Sequence, residues 1–168
     1  MTPTTSTTAV KPCQALEDVA IFLETLVEIL GEMQELVILQ QDLKKLEERA
    51  RYENLTEEIS ILEERIAADK KNVSSRYSAL EQEKETLKSD CKDCEEGQDL
   101  LEEIDILLQK MREAVDILTE QKRGGGQYLD ELLKEFARLR KECIDLKQKT
   151  EDIIKNLNAG SHPPNDNT

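Results

Sequence analysis

From Leu16 onward, apolar residues recur at alternating steps of three and four: Leu16, Val19, Leu23, Leu26, Leu30, Met33 and Val37. That spacing puts them on one helix face, as in a heptad seam. Phe22, Val27, Ile29, Leu36, Ile38 and Leu39 add apolar surface beside it, so the stripe is too wide for a two-stranded coil and calls for several neighbours. The pattern predicts an amphipathic helix over 14–50 suited to a multi-helix bundle. It continues through Leu43, Leu46 and Ala50, then loses phase by two residues around Arg51 to Glu53, where a bend or helix break is expected.

Beyond that point a strict seven-residue ladder takes over: Ile59, Ile66, Val73, Leu80, Leu87, Cys94, Leu101, Leu108 and Val115. Its regularity predicts a long coiled coil over 54–121. Leu55 and Leu62 supply the second core position at the start. In the middle that position holds Asp69, Arg76, Glu83, Asp90 and Gly97, so the seam is thin there. It recovers with Ile104, Met111 and Leu118, widened by Leu100, Leu107 and Ala114, which suits a bundle of three or more helices.

A glycine triplet, Gly124, Gly125 and Gly126, interrupts the pattern within a hinge or turn over 122–127. Three glycines inside a helix cost about 2–3 kcal/mol relative to alanine, so the helix is expected to stop and restart. Lys122 and Arg123 suit a helix C-terminus, and Asp130 and Glu131 suit the first turn of the next helix. A bent coaxial rod and a reversing hairpin both remain open. A nucleotide-binding glycine loop would need a preceding strand and a GKS or GKT ending, and neither is present.

The last segment, a coiled coil over 128–158, runs Leu129, Leu132, Phe136, Leu139, Cys143, Leu146, Thr150, Ile153 and Leu157 with unbroken 3,4 alternation. With Leu129 as an a position, Glu135 and Glu142 fall at g, and Arg140 and Lys147 at e. That arrangement fits parallel self-pairing in register, or pairing with a related chain.

No proline occurs between 14 and 158 and no period-two strand pattern is found, so the fold class is all-α. An elongated coiled coil or extended helical bundle with a glycine hinge is expected, flanked by disordered tails at 1–13 and 159–168. Composition agrees with this: of 168 residues 36% are charged and 3% aromatic, with no Trp, which leaves little to fill the core of a compact enzyme. The net charge of −14 disfavours direct nucleic-acid binding and anionic membranes. Glu17, Asp18, Glu24, Glu28, Glu32, Glu35 and Asp42 lie in the first helix with no Lys or Arg between Lys11 and Lys44, so a more basic hetero-partner is expected there.

Candidate chemistry changes this picture little. Cys91 and Cys94 form a CxxC without a second pair, and the single His, His162, lies in the polar C-terminal stretch. No metal site, cofactor or catalytic constellation is expected, and both cysteines are read as small apolar residues on a helix face. The first residues, Met1 to Cys13, have no basic run followed by an apolar one, so no secretory signal is expected there. The most apolar stretch, Val19 to Leu30, contains Glu24 and Glu28 and is too short to span a bilayer, so an intracellular protein, cytoplasmic or nuclear and without membrane insertion, is expected.

The expected function is then carried by interfaces with other coiled-coil proteins. The candidate partner-contacting residues are Leu16 to Val37 of the first seam, with Ile59, Leu62, Ile66, Leu101, Ile104, Leu108, Met111 and Val115. Leu129, Leu132, Phe136, Leu139, Cys143, Leu146 and Ile153 complete the set in the last segment. The organisation generically resembles small coiled-coil subunits of kinetochore, spindle and centrosomal complexes in cell division. That resemblance implies a non-enzymatic scaffold subunit. Two alternatives stand beside it: a membrane-traffic tether or SNARE-like adaptor, and a compact helical-bundle regulator or chaperone.

Overall fold

The computed structural model describes residues 12–120 and 127–161, as four α-helices with no strand among them: α1 (Pro12–Arg49), α2 (Thr56–Asp90), α3 (Glu95–Glu120) and α4 (Gln127–Ser161). The all-α class is therefore what the structure shows, in the form of a helical bundle. A 35-residue helix such as α2 or α4 is about 50 Å long. α1 starts at Pro12 and α4 runs to Ser161, slightly past the expected boundaries. The remainder of the two expected tails and Gly124, Gly125 and Gly126 lie outside the described residues.

Cross-helix contacts fix the topology as up, down, up, down. Arg76 of α2 meets Glu28 and Glu32 of α1. Lys84 and Lys88 of α2 reach Asp105 of α3 at 2.8 and 3.2 Å. Lys149 of α4 reaches Glu103 of α3 at 2.9 Å, and Lys110 reaches Glu142 at 3.9 Å. Gln41 near the end of α1 donates to Asp130 at the start of α4 at 2.6 Å. Every sequential pair is thus antiparallel, and α1 lies antiparallel to α4 to close the ring. The backbones of α2 and α4 stay apart on one diagonal, while α1 and α3 approach on the other.

The chain turns where side chains and backbone cooperate. α1 ends at Arg49 and the turn occupies residues 50–53, where the sequence seam loses phase. Arg49 pairs with Glu53 across it at 3.2 Å, Asn54 Oδ1 accepts from the Thr56 hydroxyl at 3.0 Å, and Leu55 is buried at the head of α2.

The continuous coil expected over 54–121 is corrected at the next turn. Residues 91–94 reverse the chain, and the ladder is divided between α2 and α3. Yet Ile66, Val73, Leu80, Leu87, Cys94, Leu101 and Leu108 are all buried, so the ladder keeps facing one core through the reversal. An antiparallel bundle uses the same a and d spacing as a coil, and a short turn between helices need not disturb it. α3 and α4 are likewise antiparallel, so of the two readings of the glycine segment the flanking helices correspond to reversal.

The core fills inward from all four helices. Phe22, Leu16, Leu23, Leu26, Ile29, Leu30, Met33 and Leu36 of α1 are almost fully enclosed, as are Leu80, Leu100, Ile104 and Phe136. The wide stripe of α1 follows from its place between α2 and α4 with α3 across the core.

Candidate partner-binding surface

The residues read from sequence as partner-contacting are consumed within the chain. Leu16, Val19, Leu23, Leu26, Leu30, Met33 and Val37 are buried, as are Ile66, Leu101, Ile104, Leu108 and Met111. So are Leu129, Leu132, Phe136, Leu139, Cys143 and Leu146. Ile59, Leu62, Val115 and Ile153 are half-buried. The structure brings them together in one core instead of presenting them as a free seam.

Several charges that the sequence sets aside for partners also find neighbours inside the chain. Arg76 occupies a core-type position of the thin middle seam and answers two of the unbalanced acids of α1, Glu28 and Glu32. The Arg140 guanidinium lies over Gly31, where a Cβ would meet it at 3.5 Å. Glu142 pairs with Lys110, Glu135 with Arg138, and Lys147 with Glu151. Most of these pairs are solvent-exposed and contribute about 0–1 kcal/mol each, so they select arrangement more than they stabilise it.

Between α2 and α3 a polar lattice replaces part of the apolar seam. Tyr77 is buried and its hydroxyl donates to the Leu108 carbonyl at 3.1 Å. Glu81 pairs with Arg112. Burial alone would raise the Asp105 carboxyl, but hydrogen bonds and charges from Lys84 and Lys88 outweigh it and hold the group below its ordinary range. None of these contacts could be read from heptad spacing, because the partners lie about 20 to 50 residues apart in sequence.

The CxxC is the corner between α2 and α3. Cys94 stands where an N-cap residue stands, and its Sγ accepts the Gly97 N–H at 3.3 Å, as a serine hydroxyl would. Cys91 is fully enclosed against Gly97, where an added Cβ would lie 2.8 Å from the Cys91 Sγ and 3.3 Å from the Cys94 Sγ. Helix propensity favours Ala over Gly by about 1 kcal/mol, whereas overpacking costs about 1–3 kcal/mol. Gly97→Ala is therefore expected to lower the urea midpoint, and Cys91→Ala in the same chain to recover part of the loss.

Burial raises four titrating groups, among them Tyr128, whose phenol is lifted by desolvation. Cys91 is pushed up to about 11 by desolvation, with Cys94 and nearby acids adding to it. Cys143 is pushed to about 12 by desolvation and then Glu142, and Tyr77 to about 12 by desolvation and then Glu81. Each folded value lies above the ordinary one, so the folded state holds its protons longer. The stabilisation is complete below about pH 9 and is lost as pH rises from there towards 12. The thermal midpoint by circular dichroism is expected to fall between pH 8 and 11, with a shallower fall for Cys143→Ala; a flat profile in the parent protein would contradict this burial.

Comparison with protein-family models, curated proteins and solved structures returns no match. Among the described residues, no helix is long and apolar enough to cross a membrane, and no three His, Cys, Asp or Glu side chains gather as metal ligands.

What remains for partners is the outer surface. Two depressions lie along the groove between α3 and α4, about 320 and 300 Å³ in volume, and further shallow clefts follow the groove between α1 and α4. Their rims are mainly acidic and their floors include apolar side chains. The exposed Ile106 and Ile117 lie off the heptad seam, and only packing reveals which flanks of two helices form one groove.

Proposed function

We propose that this protein is a non-enzymatic interaction module, a compact helical-bundle regulator or chaperone that binds basic helical segments of partner proteins on its acidic outer faces. The supporting observation is the burial of its own seams: Leu23, Ile104 and Phe136 are enclosed by the chain's four helices, so partners are left with the outer grooves. A scaffold role of kinetochore, spindle or centrosome type would have to act through those same faces. Cys91, Cys94 and Cys143 are buried free thiols, which fits a reducing intracellular compartment, cytoplasmic or nuclear.

The test begins with the purified full chain, by light scattering and small-angle scattering. A compact monomer is expected; a rod-shaped dimer would sink the reading. Titration with a lysine-rich amphipathic peptide and with its glutamate-substituted counterpart follows. Binding confined to the basic peptide and weakened by salt supports the proposal. Equal binding of both, or of neither, removes it.

A further inference from the structure

Along the outer side of α3, Ile106 and Ile117 are 58% and 45% exposed. They are eleven residues apart, three helical turns, so they lie on one face about 16 Å from each other. Each sits in one of the two depressions between α3 and α4. Leu107 and Leu146 line the first, and Ala114 and Leu132 line the second. Single exposed isoleucines are ordinary on a protein surface, but two in one groove, each over an apolar floor, form a track of two apolar patches on one face.

The charges along this track decide what can occupy it. Glu103, Glu142 and Asp145 line the first depression, and Glu113, Glu131 and Glu135 line the second. Arg138 beside Glu135 and Lys141 3.4 Å from Asp145 answer two of these six carboxylates from outside the lining, and among the described lining residues the ammonium groups are Lys149 and Lys110. Both span the groove, Lys149 to Glu103 at 2.9 Å and Lys110 to Glu142 at 3.9 Å. The lining is thus net negative, and the Lys110 pair marks a waist between the two depressions.

On the partner-binding reading above, we infer that the α3/α4 groove is the docking site for one basic-edged amphipathic helix of a partner protein. Two apolar anchors at positions i and i+11 of that helix fill the depressions, a small residue passes the waist, and flanking Lys or Arg side chains meet the acidic rims. A second copy of this chain is disfavoured, because it brings a net charge of −14 to a rim of the same sign. Nucleic acid and anionic lipid are disfavoured for the same reason. A helix suits the site better than a strand, since two antiparallel helices offer a groove for a further helix and no open sheet edge for strand addition.

The probe is a synthetic helical peptide of roughly four turns with leucines at i, i+4, i+7 and i+11 and lysines on both flanks. Its affinity for the full chain is measured by fluorescence anisotropy, and its footprint by amide chemical-shift mapping. Controls are a shuffled peptide of the same composition, the Ile106→Lys/Ile117→Lys variant, and Ile61→Lys, which alters an exposed isoleucine on α2. The double variant is expected to bind about tenfold more weakly at unchanged helicity and thermal midpoint, while Ile61→Lys binds like the parent. Glu113→Gln with Glu135→Gln is expected to weaken binding and flatten its salt dependence.

A footprint on the α1/α4 face, with both isoleucine variants binding like the parent, would overturn the groove assignment and leave the partner-binding reading standing. Equal binding of the shuffled peptide would overturn the groove as a shaped site. Absence of any binding would overturn the groove and the partner-binding reading together. A doubled mass without peptide, abolished by Ile106→Lys/Ile117→Lys, would assign the groove to a second copy instead.

Discussion

Leu139→Glu is expected to leave the chain unfolded at neutral pH. Leu139 is 1% exposed in α4, the helix that packs against both α1 and α3. The substitution forfeits about 2–3 kcal/mol of leucine burial and forces a carboxylate without a partner into the core, at several kcal/mol more. Together these approach the whole net stability of a single domain, about 5–15 kcal/mol. Far-UV circular dichroism reads the outcome directly as a loss of helicity. Ile144→Glu, five residues later and 49% exposed, provides the contrast and is expected to change stability by no more than about 0.5 kcal/mol. A Leu139→Glu chain that stayed helical with an unchanged midpoint would mean that the seam of α4 faces somewhere other than this core.

That contrast shows what the sequence pattern carries and what it does not. The 3,4 alternation of α1 and α4 identifies their buried faces because a helix presents every third and fourth residue to one side, whatever it packs against. Leu16 to Val37 and Leu129 to Leu146 are accordingly buried along their seams. The same periodicity says nothing about whether the neighbour is another chain or the next helix of this one. The ladder from Ile59 to Val115 makes this plain, since it runs through a chain reversal without losing its phase.

The signal for that reversal is weak in sequence. Neither proline nor glycine marks residues 91–94, and the stop is built from a thiol acting as an N-cap and from the fit of Cys91 against Gly97. Both contacts are local, but cysteine is not among the residues that ordinarily mark an N-cap, so neither stands out in the sequence. The polar residues in the thin middle seam carry more information than their hydropathy indicates. Arg76 reads as a flaw in a coil, yet in the bundle it faces Glu28 and Glu32, acids for which no basic neighbour is visible locally. The candidate groove between α3 and α4 is illegible for a related reason. Ile106 and Ile117 fall off the seam, and the acidic residues opposite them belong to a helix whose direction the sequence leaves open.

Phe136→Ala is the core truncation expected to cost most while leaving a folded protein to measure. The chain has only two phenylalanines, Phe22 and Phe136, and both are fully enclosed. In a core otherwise built mainly of leucine, isoleucine, valine and methionine, removing one aromatic ring leaves a hole that rigid neighbouring helices fill only in part. The cost is about 3–5 kcal/mol, against about 1.5 kcal/mol or less for Phe136→Leu, which conserves most of the volume. Urea denaturation separates the cases by midpoint, and its slope adds a second reading. An unchanged slope means that α1 and α4 unfold together with the rest, as their shared core requires. A reduced slope with a smaller loss would mean that the α1/α4 contact melts on its own, and that the four helices do not form one cooperative unit.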